Sequence, residues 1–311
     1  MTAPILQPTP DAITRAADTL RGGGLVAMPT ETVYGLAARA DDAAAVARIY
    51  TAKGRPRFNP LIAHCADLTM AQHEGQFSEN ALKLAAAFWP GPLTLVVDLA
   101  PRHTVCDLAR AGLNSIALRV PAHPVAAALL REIDQPLVAP SANPSGKISP
   151  TTAAHVAADM GERVDLILDG GPCTAGVEST IIDARGEHPA LLRPGSLTPD
   201  QIEAIWPGLI RPSQNPDAPQ SPGQLLRHYA PNARLRLNAA APENGEAYLG
   251  FGHGPATLNL SPKADLTEAS ANLFAMLRQL DAAHKKIAVA LIPNHGLGEA
   301  INDRLTRAAQ R

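Results

Sequence analysis

The chain is 311 residues long and 46% hydrophobic, enough for one large domain plus a small one, or for two comparable domains. Charged residues make up only 18% and the formal net charge is −2, a balance that argues against a protein held on nucleic acid by bulk positive charge. Its 29 prolines follow no period and its 3 cysteines form no CxxC pair, which excludes a collagen-like or low-complexity chain, a zinc ribbon and a redox dithiol.

The opening MTAPILQPTPDAITRAADTL carries acids and lacks an unbroken apolar segment, unlike a signal peptide. Within it, Thr9 to Leu20 is expected as a helix, with Thr9 as cap, Pro10 in the first position and Ile13, Ala16, Ala17 and Leu20 on one face. Gly22, Gly23 and Gly24 end it, LVAMPT follows as a short buried strand, and Asp41 or Asp42 caps a second helix through Val46, Ile49 and Tyr50. Further strands are expected at LIAHC, LTLVVDL, SIALRV, PLVAP, DLILDG, STIIDA and ALLRP, with helices around 79–88, 124–132 and 152–160. Such interleaving indicates an α/β fold, and the irregular spacing indicates a mixed sheet. Past Trp206 the stretch RPSQNPDAPQSPGQLLRHYAPNA reads as an extended linker. A small α/β unit follows, with strands at RLRL, EAYLGFG and KIAVALIP and helices around 266–283 and 297–309. Cys65, Cys106 and Cys173 are expected as small core residues. No run approaches the ~20 apolar residues of a membrane span, and a cytoplasmic location is expected.

Several segments carry chemistry. Thr30, Glu31, Thr32 and Tyr34 sit just past a buried strand, where open α/β sheets bind ligands. No GxxxxGK[ST] occurs, so a bound nucleotide would not be held by a P-loop. In KGRPRFNPLIAH, Pro56 and Pro60 favour an extended backbone that would put Lys53, Arg55 and Arg57 on one face as a cationic, anion-holding loop. Asn59 adds a neutral polar group there, and His64 lies in the following strand. SIALRV places Ser115 and Arg119 on one strand face, and a buried arginine needs a partner. Either an internal carboxylate or a substrate carboxylate would serve. Ser141, Asn143, Ser145, Ser149 and Thr151 form a hydroxyl-rich run leading into a helix N-terminus. Glu178, Ser179, Thr180 and Arg193 lie at other strand ends. Together these residues suggest positioning and charge neutralisation of a polyphosphate. They contain no Ser-His-Asp order, paired general-acid carboxylates or metal-ligand cluster.

In this order, PTETVYGL, KGRPRFNPLIAH, WPGPLTLVV, SIALRVP, APSANPSGKISPT, GVESTIID, LLRPGS and SPGQLLRHYAP resemble the motifs of the YrdC-like threonylcarbamoyl-AMP synthases, in their long form. The resemblance implies a large, twisted YrdC-like mixed-sheet catalytic domain at 1–208 and a linker or lid at 209–231. It also implies a small Rossmann-like C-terminal α/β domain at 232–311. The implied reaction joins ATP, L-threonine and bicarbonate into threonylcarbamoyl-AMP with loss of pyrophosphate, magnesium accompanying the nucleotide. Lys53 and Arg55 would be catalytic. Thr32, His64, Arg119, Ser179 and the backbone at Ala139 would hold threonine. Lys53, Arg55, Asn59, Ser115, Ser141, Ser149, Arg193 and Tyr229 would hold ATP. Implied partners are a threonylcarbamoyl transferase complex and double-stranded RNA or tRNA. One departure stands out: Gln224-Leu225-Leu226 replaces the usual Met-Lys-Tyr of the linker motif. An alternative from another class is an RNA-binding module without chemistry; a third reading is a hydrogenase-maturation carbamoyltransferase, which shares this domain but whose zinc region three unpaired cysteines could not supply.

Overall fold

A computed structural model describes residues 2–56, 58–212 and 228–310. Eleven described strands form one mixed sheet: β1 Ile5–Leu6, β2 Val26–Met28, β3 Gly35–Arg39, β4 Ile62–His64, β5 Gly75–Gln76, β6 Leu93–Leu99, β7 Ser115–Arg119, β8 Leu137–Val138, β9 Leu166–Leu168, β10 Thr180–Asp183 and β11 Ala190–Arg193. Their order is β1-β9-β2-β3-β8-β4-β7-β6-β10-β11, with β5 paired to β6. A second, all-parallel sheet runs β12-β15-β13-β14, from β12 Arg234–Arg236, β13 Ala247–Gly250, β14 Leu258–Asn259 and β15 Lys286–Val289.

The local chemistry of the helix ends is as the sequence indicates. Thr9 accepts from the Ala12 amide at the start of the helix Pro10–Arg21. Asp42 accepts from the Ala44 and Ala45 amides ahead of the helix Ala43–Lys53, leaving Asp41 to pair with Arg39. Strand β3, the short strands β1, β5 and β14, and the short helices Leu68–Glu74, Asp107–Arg110 and Pro199–Glu203 were not foreseen. They are too brief, or too glycine- and alanine-rich, to show a period.

Alternation along the central strands divides the sheet into two faces. Leu61, Ala63, Leu93, Leu95, Val97, Ile116 and Leu118 point into the main core. On the other face Ile62, Val96, Ala117, Ile181 and Leu192 form a small apolar floor. The same alternation puts His64, Thr94, Ser115 and Arg119 on the floor side, where His64 on β4 is in register with Arg119 on β7. Elsewhere the helices Pro10–Arg21 and Pro124–Ile133 cover this second face. Around the floor it stays open for a site.

Candidate active site

A hollow lies over that floor, lined by Thr32, Arg55, His64, Arg119, Ala139, Ser141, Arg193 and Tyr229. Ile62, Glu178, Ser179 and His228 complete its polar and apolar walls. Three of its lining residues are cations and one is a carboxylate, so the wall is positive with the histidines neutral. Burial first, and the nearby arginine charge second, push the His64 imidazole down to about 3. Burial likewise pushes His228 down to about 3.

Each guanidinium is fixed differently. Arg119 is 3% exposed. It donates Nη2 to Glu31 at 2.6 Å, Nη1 to the Thr32 hydroxyl at 2.9 Å and Nε to the Gly91 carbonyl at 3.2 Å. Its partner in this structure is therefore the internal carboxylate. Burial raises the Glu31 carboxyl, and Arg119 outweighs this to leave it below its ordinary value. Thr30 organises the turn beneath by accepting from the Thr32 and Val33 amides and donating to the Val33 carbonyl. Arg193 donates to the Ser179 carbonyl and hydroxyl, and Arg55 donates to the Asn59 and Pro60 carbonyls. Among the described residues neither has a carboxylate in hydrogen-bond contact. Burial lowers both, Arg55 to about 10. Buried cations without counter-ions are costly, and an incoming anion relieves that cost.

The extended cationic face expected at 53–57 does not form. Lys53 is the last residue of the helix Ala43–Lys53, because Val46, Ile49, Tyr50 and Lys53 share its buried side. Gly54 then turns left-handed at φ 60°, which separates Lys53 from Arg55. Lys53 Nζ donates to the Ser141 and Asn143 carbonyls, pinning the hydroxyl-rich loop from below. Arg57 lies outside the described residues.

The second sheet's unit backs two of the lining residues, Glu178 and Tyr229. Glu178 accepts from the Ser149 hydroxyl at 2.6 Å and from Arg304 Nε at 2.8 Å. Burial raises its carboxyl, but Arg304 and Arg193 hold it at about 2. Tyr229 is stacked on Phe274 with ring centroids 5.4 Å apart, and the Arg304 guanidinium lies 5.3 Å from its ring.

The family model described as "Telomere recombination", for Sua5, YciO and YrdC proteins, matches residues 18–195. The one described as "Threonylcarbamoyl-AMP synthase, C-terminal domain" matches residues 197–310. A threonylcarbamoyl-AMP synthase of Bacillus subtilis is 41% identical, over 96% of this chain and 92% of its own. One of Pyrococcus abyssi is 40% identical, over 94% and 93%. The chain belongs to the threonylcarbamoyl-AMP synthase family. The crystal structure of P. abyssi Sua5 complexed with L-threonine superposes with a TM-score of 0.90 at 38% identity, covering 99% of this chain and 98% of that one.

For a threonylcarbamoyl-AMP synthase relative, the residues expected from sequence fall into two groups. Thr32, Arg55, His64, Arg119, Ala139, Ser141, Ser179, Arg193 and Tyr229 all line the hollow. Lys53, Asn59, Ser115 and Ser149 do not line it: Lys53 and Ser149 hold neighbouring wall groups, Ser115 lies at the opposite end of β7 from Arg119, and the side-chain nitrogen and oxygen of Asn59 are buried without a partner. Sequence reasoning missed Arg304 and did not foresee Glu31 as the partner of Arg119. The sequence signal for Arg304 was its place among Ile301, Leu305 and Ala308 on a buried helix face, where an arginine must be answered by a carboxylate. The linker residues 213–227, with Gln224-Leu225-Leu226 and Arg227, lie outside the described residues, so the lid expected at 209–231 is described only at its ends.

Proposed function

We propose that this chain condenses ATP, L-threonine and bicarbonate into L-threonylcarbamoyl-adenylate and pyrophosphate. The threonine amine and bicarbonate give N-carboxy-threonine with loss of water. A carboxylate oxygen of that carbamate attacks the α-phosphorus of ATP, the bond to the bridging oxygen breaks, and pyrophosphate leaves with the electron pair. The chain's part is to neutralise charge and align the reactants, since positioned guanidiniums in a water-poor hollow stabilise negative charge as it shifts.

The carrying observation is that Arg55, Arg119 and Arg193 are all buried and all line one hollow with a single lining carboxylate. In this reading Arg119, Thr32, His64, Ser179 and the backbone at Ala139 take the threonine, whose carboxylate shares or replaces Glu31 on Arg119. Arg55 and Arg193 take the phosphates, with Ser141 and Tyr229 around them. Lys53 and Ser149 support that wall through their hydrogen bonds to its loops, with Asn59 and Ser115 assigned to the nucleotide as the family resemblance implies. The magnesium expected with ATP would be carried by phosphate oxygens and water, because no group of three or more His, Cys, Asp or Glu suited to a metal occurs among the described residues. Both carboxylates near the hollow are already engaged, Glu31 by Arg119 and Glu178 by Arg304.

We assign the nucleotidyl transfer to residues 1–208, the linker to 209–231 and the small unit to 232–311. The two family matches, which meet between 195 and 197, support a division near there. The adenylate would be consumed by a transferase acting on a tRNA adenosine, and direct contact with double-stranded RNA or tRNA belongs to the same proposal. No helix among the described residues is long and apolar enough to cross a membrane, and we propose a cytoplasmic site of action. Mass spectrometry of the product formed from ATP, bicarbonate and threonine tests the reaction. Threonylcarbamoyl-AMP must appear, and its absence when any one reactant is withheld must follow. Pyrophosphate release indifferent to threonine would refute it.

A further inference from the structure

Two buried guanidiniums in the proposed phosphate wall, those of Arg55 and Arg193, make no hydrogen bond to a carboxylate among the described residues, although Glu178 lines the same hollow. For Arg193 the reason is that Glu178 is already taken. One oxygen accepts from Ser149 Oγ and the other from Arg304 Nε, which arrives from 126 residues further along the chain. Arg304 is fully buried on the helix Leu297–Ala309, and it also donates through Nη1 to the Pro194 carbonyl at 2.8 Å. Its remaining nitrogen, Nη2, is buried without a partner. Nη1 also pairs with the neighbouring Asp303 carboxylate at 2.8 Å, so Glu178, Asp303 and the 194 turn together fix the guanidinium.

We propose that Arg304 is a positioning residue of this site: by engaging Glu178 it keeps Arg193 available to the triphosphate. The inference rests on the reaction proposed above and assigns the small unit a part in it. Without the Arg304 charge, the buried Glu178 carboxylate would turn to the next cation, Arg193, whose charge already acts on it. Arg193 would then be neutralised from inside the wall, and the same carboxylate would repel incoming phosphates. Arg304 also lies against the ring of Tyr229, so the group that holds Glu178 braces the aromatic wall as well.

The test compares equilibrium ATP affinity and threonine-dependent pyrophosphate release for the full-length chain and for Arg304→Met, Arg304→Lys, Glu178→Gln and the double variant Arg304→Met/Glu178→Gln. Arg304→Met should weaken ATP binding at least ten-fold, with turnover at saturating ATP changed less than three-fold. Adding Glu178→Gln should restore most of the lost affinity, because the carboxylate that would capture Arg193 is gone. A merely structural role for Arg304 predicts the opposite, a double variant as weak as Arg304→Met or weaker, and that result overturns the inference. Unchanged ATP affinity in Arg304→Met overturns it too. Should Arg304→Met fail to fold by circular dichroism, Arg304→Lys takes its place. It should bind ATP at least three-fold more weakly than wild type and recover with Glu178→Gln, and no recovery counts against the proposal. A wild-type chain that binds ATP yet releases no pyrophosphate with threonine defeats the reaction instead, since the affinity comparison does not depend on turnover.

Discussion

At the scale of single residues, the hollow is built from groups whose charge is fixed by their surroundings. Arg55 gives its described donors to two carbonyls of its own loop, so removing its side chain breaks no ion pair seen in the structure. Arg55→Ala should leave the circular dichroism spectrum and size unchanged, yet slow threonine-dependent pyrophosphate release by about 10²–10³-fold, the usual cost of deleting one preorganised electrostatic group. His64 and His228 give a pH prediction with a definite sign. Each imidazole has an ordinary value of 6.5 and is held at about 3 by burial. Between those values the unfolded chain binds more protons than the folded one, so stability is full above 6.5 and falls as the pH drops towards 3. The slope is about 1.4 kcal/mol per pH unit for each histidine. Urea midpoints at pH 7.5, 6 and 5 should decline accordingly, and His64→Gln/His228→Gln should flatten the decline. Sequence motifs were enough to mark Arg55, His64, Arg119 and Arg193. They could not reveal that Arg119 rests on Glu31, 88 residues away, since nothing local encodes that contact.

At the scale of elements, two close approaches hold the site together. Gly195, after β11, lies so near the backbone of Glu178, Ser179 and Thr180 that any Cβ would collide with it. Gly176 has φ 73°, and a Cβ there would meet the Ser270 carbonyl and, at 2.5 Å, the Ala271 backbone of the helix Leu266–Ala283. Beside it, Ser270 Oγ donates to the Ala175 carbonyl at 2.6 Å. Gly176→Ala should therefore push the small unit's helix off the large sheet's loops. Loss of about 2–4 kcal/mol is expected, from left-handed strain plus overpacking against rigid backbone. Limited proteolysis should show faster cutting in the variant, and identical digestion of the two proteins would count against a docked helix. Helix caps such as Thr9 and Asp42 could be read directly from local spacing. The end of the helix at Lys53 could not. Prolines at 56 and 60 suggested extension, while the buried stripe carried the helix through to Lys53.

For the molecule as a whole, the large unit together with His228 and Tyr229 lines the hollow, and the small unit braces that lining from outside. Arg278 ties the small unit to the Ile148 and Ser149 carbonyls and to Asp159, and Arg304 ties it to Glu178. Ligand that fills the hollow should stabilise the two units together. At 100 times the dissociation constant, ATP plus threonine should add about 2.7 kcal/mol. Hydrogen exchange should then slow in β12, β13 and β15 as well as in β4 and β7. Protection confined to the large sheet would mean that the small unit is not part of the site. Taken alone, the sequence determined the mixed α/β class, the alternation that gives β4 and β7 a core face and a site face, and most residues around the hollow. The first two follow from spacings of two and 3.6 residues, which covalent geometry imposes wherever the chain goes, whereas the residues around the hollow were marked by motifs and the family they resemble. Tertiary structure alone decided which charges meet: Glu31 with Arg119, Lys53 with the carbonyls of the loop above it, and Arg304 with Glu178. Charge pairing depends on distance through space and on the exclusion of water, and neither is written in the separation of residues along the chain.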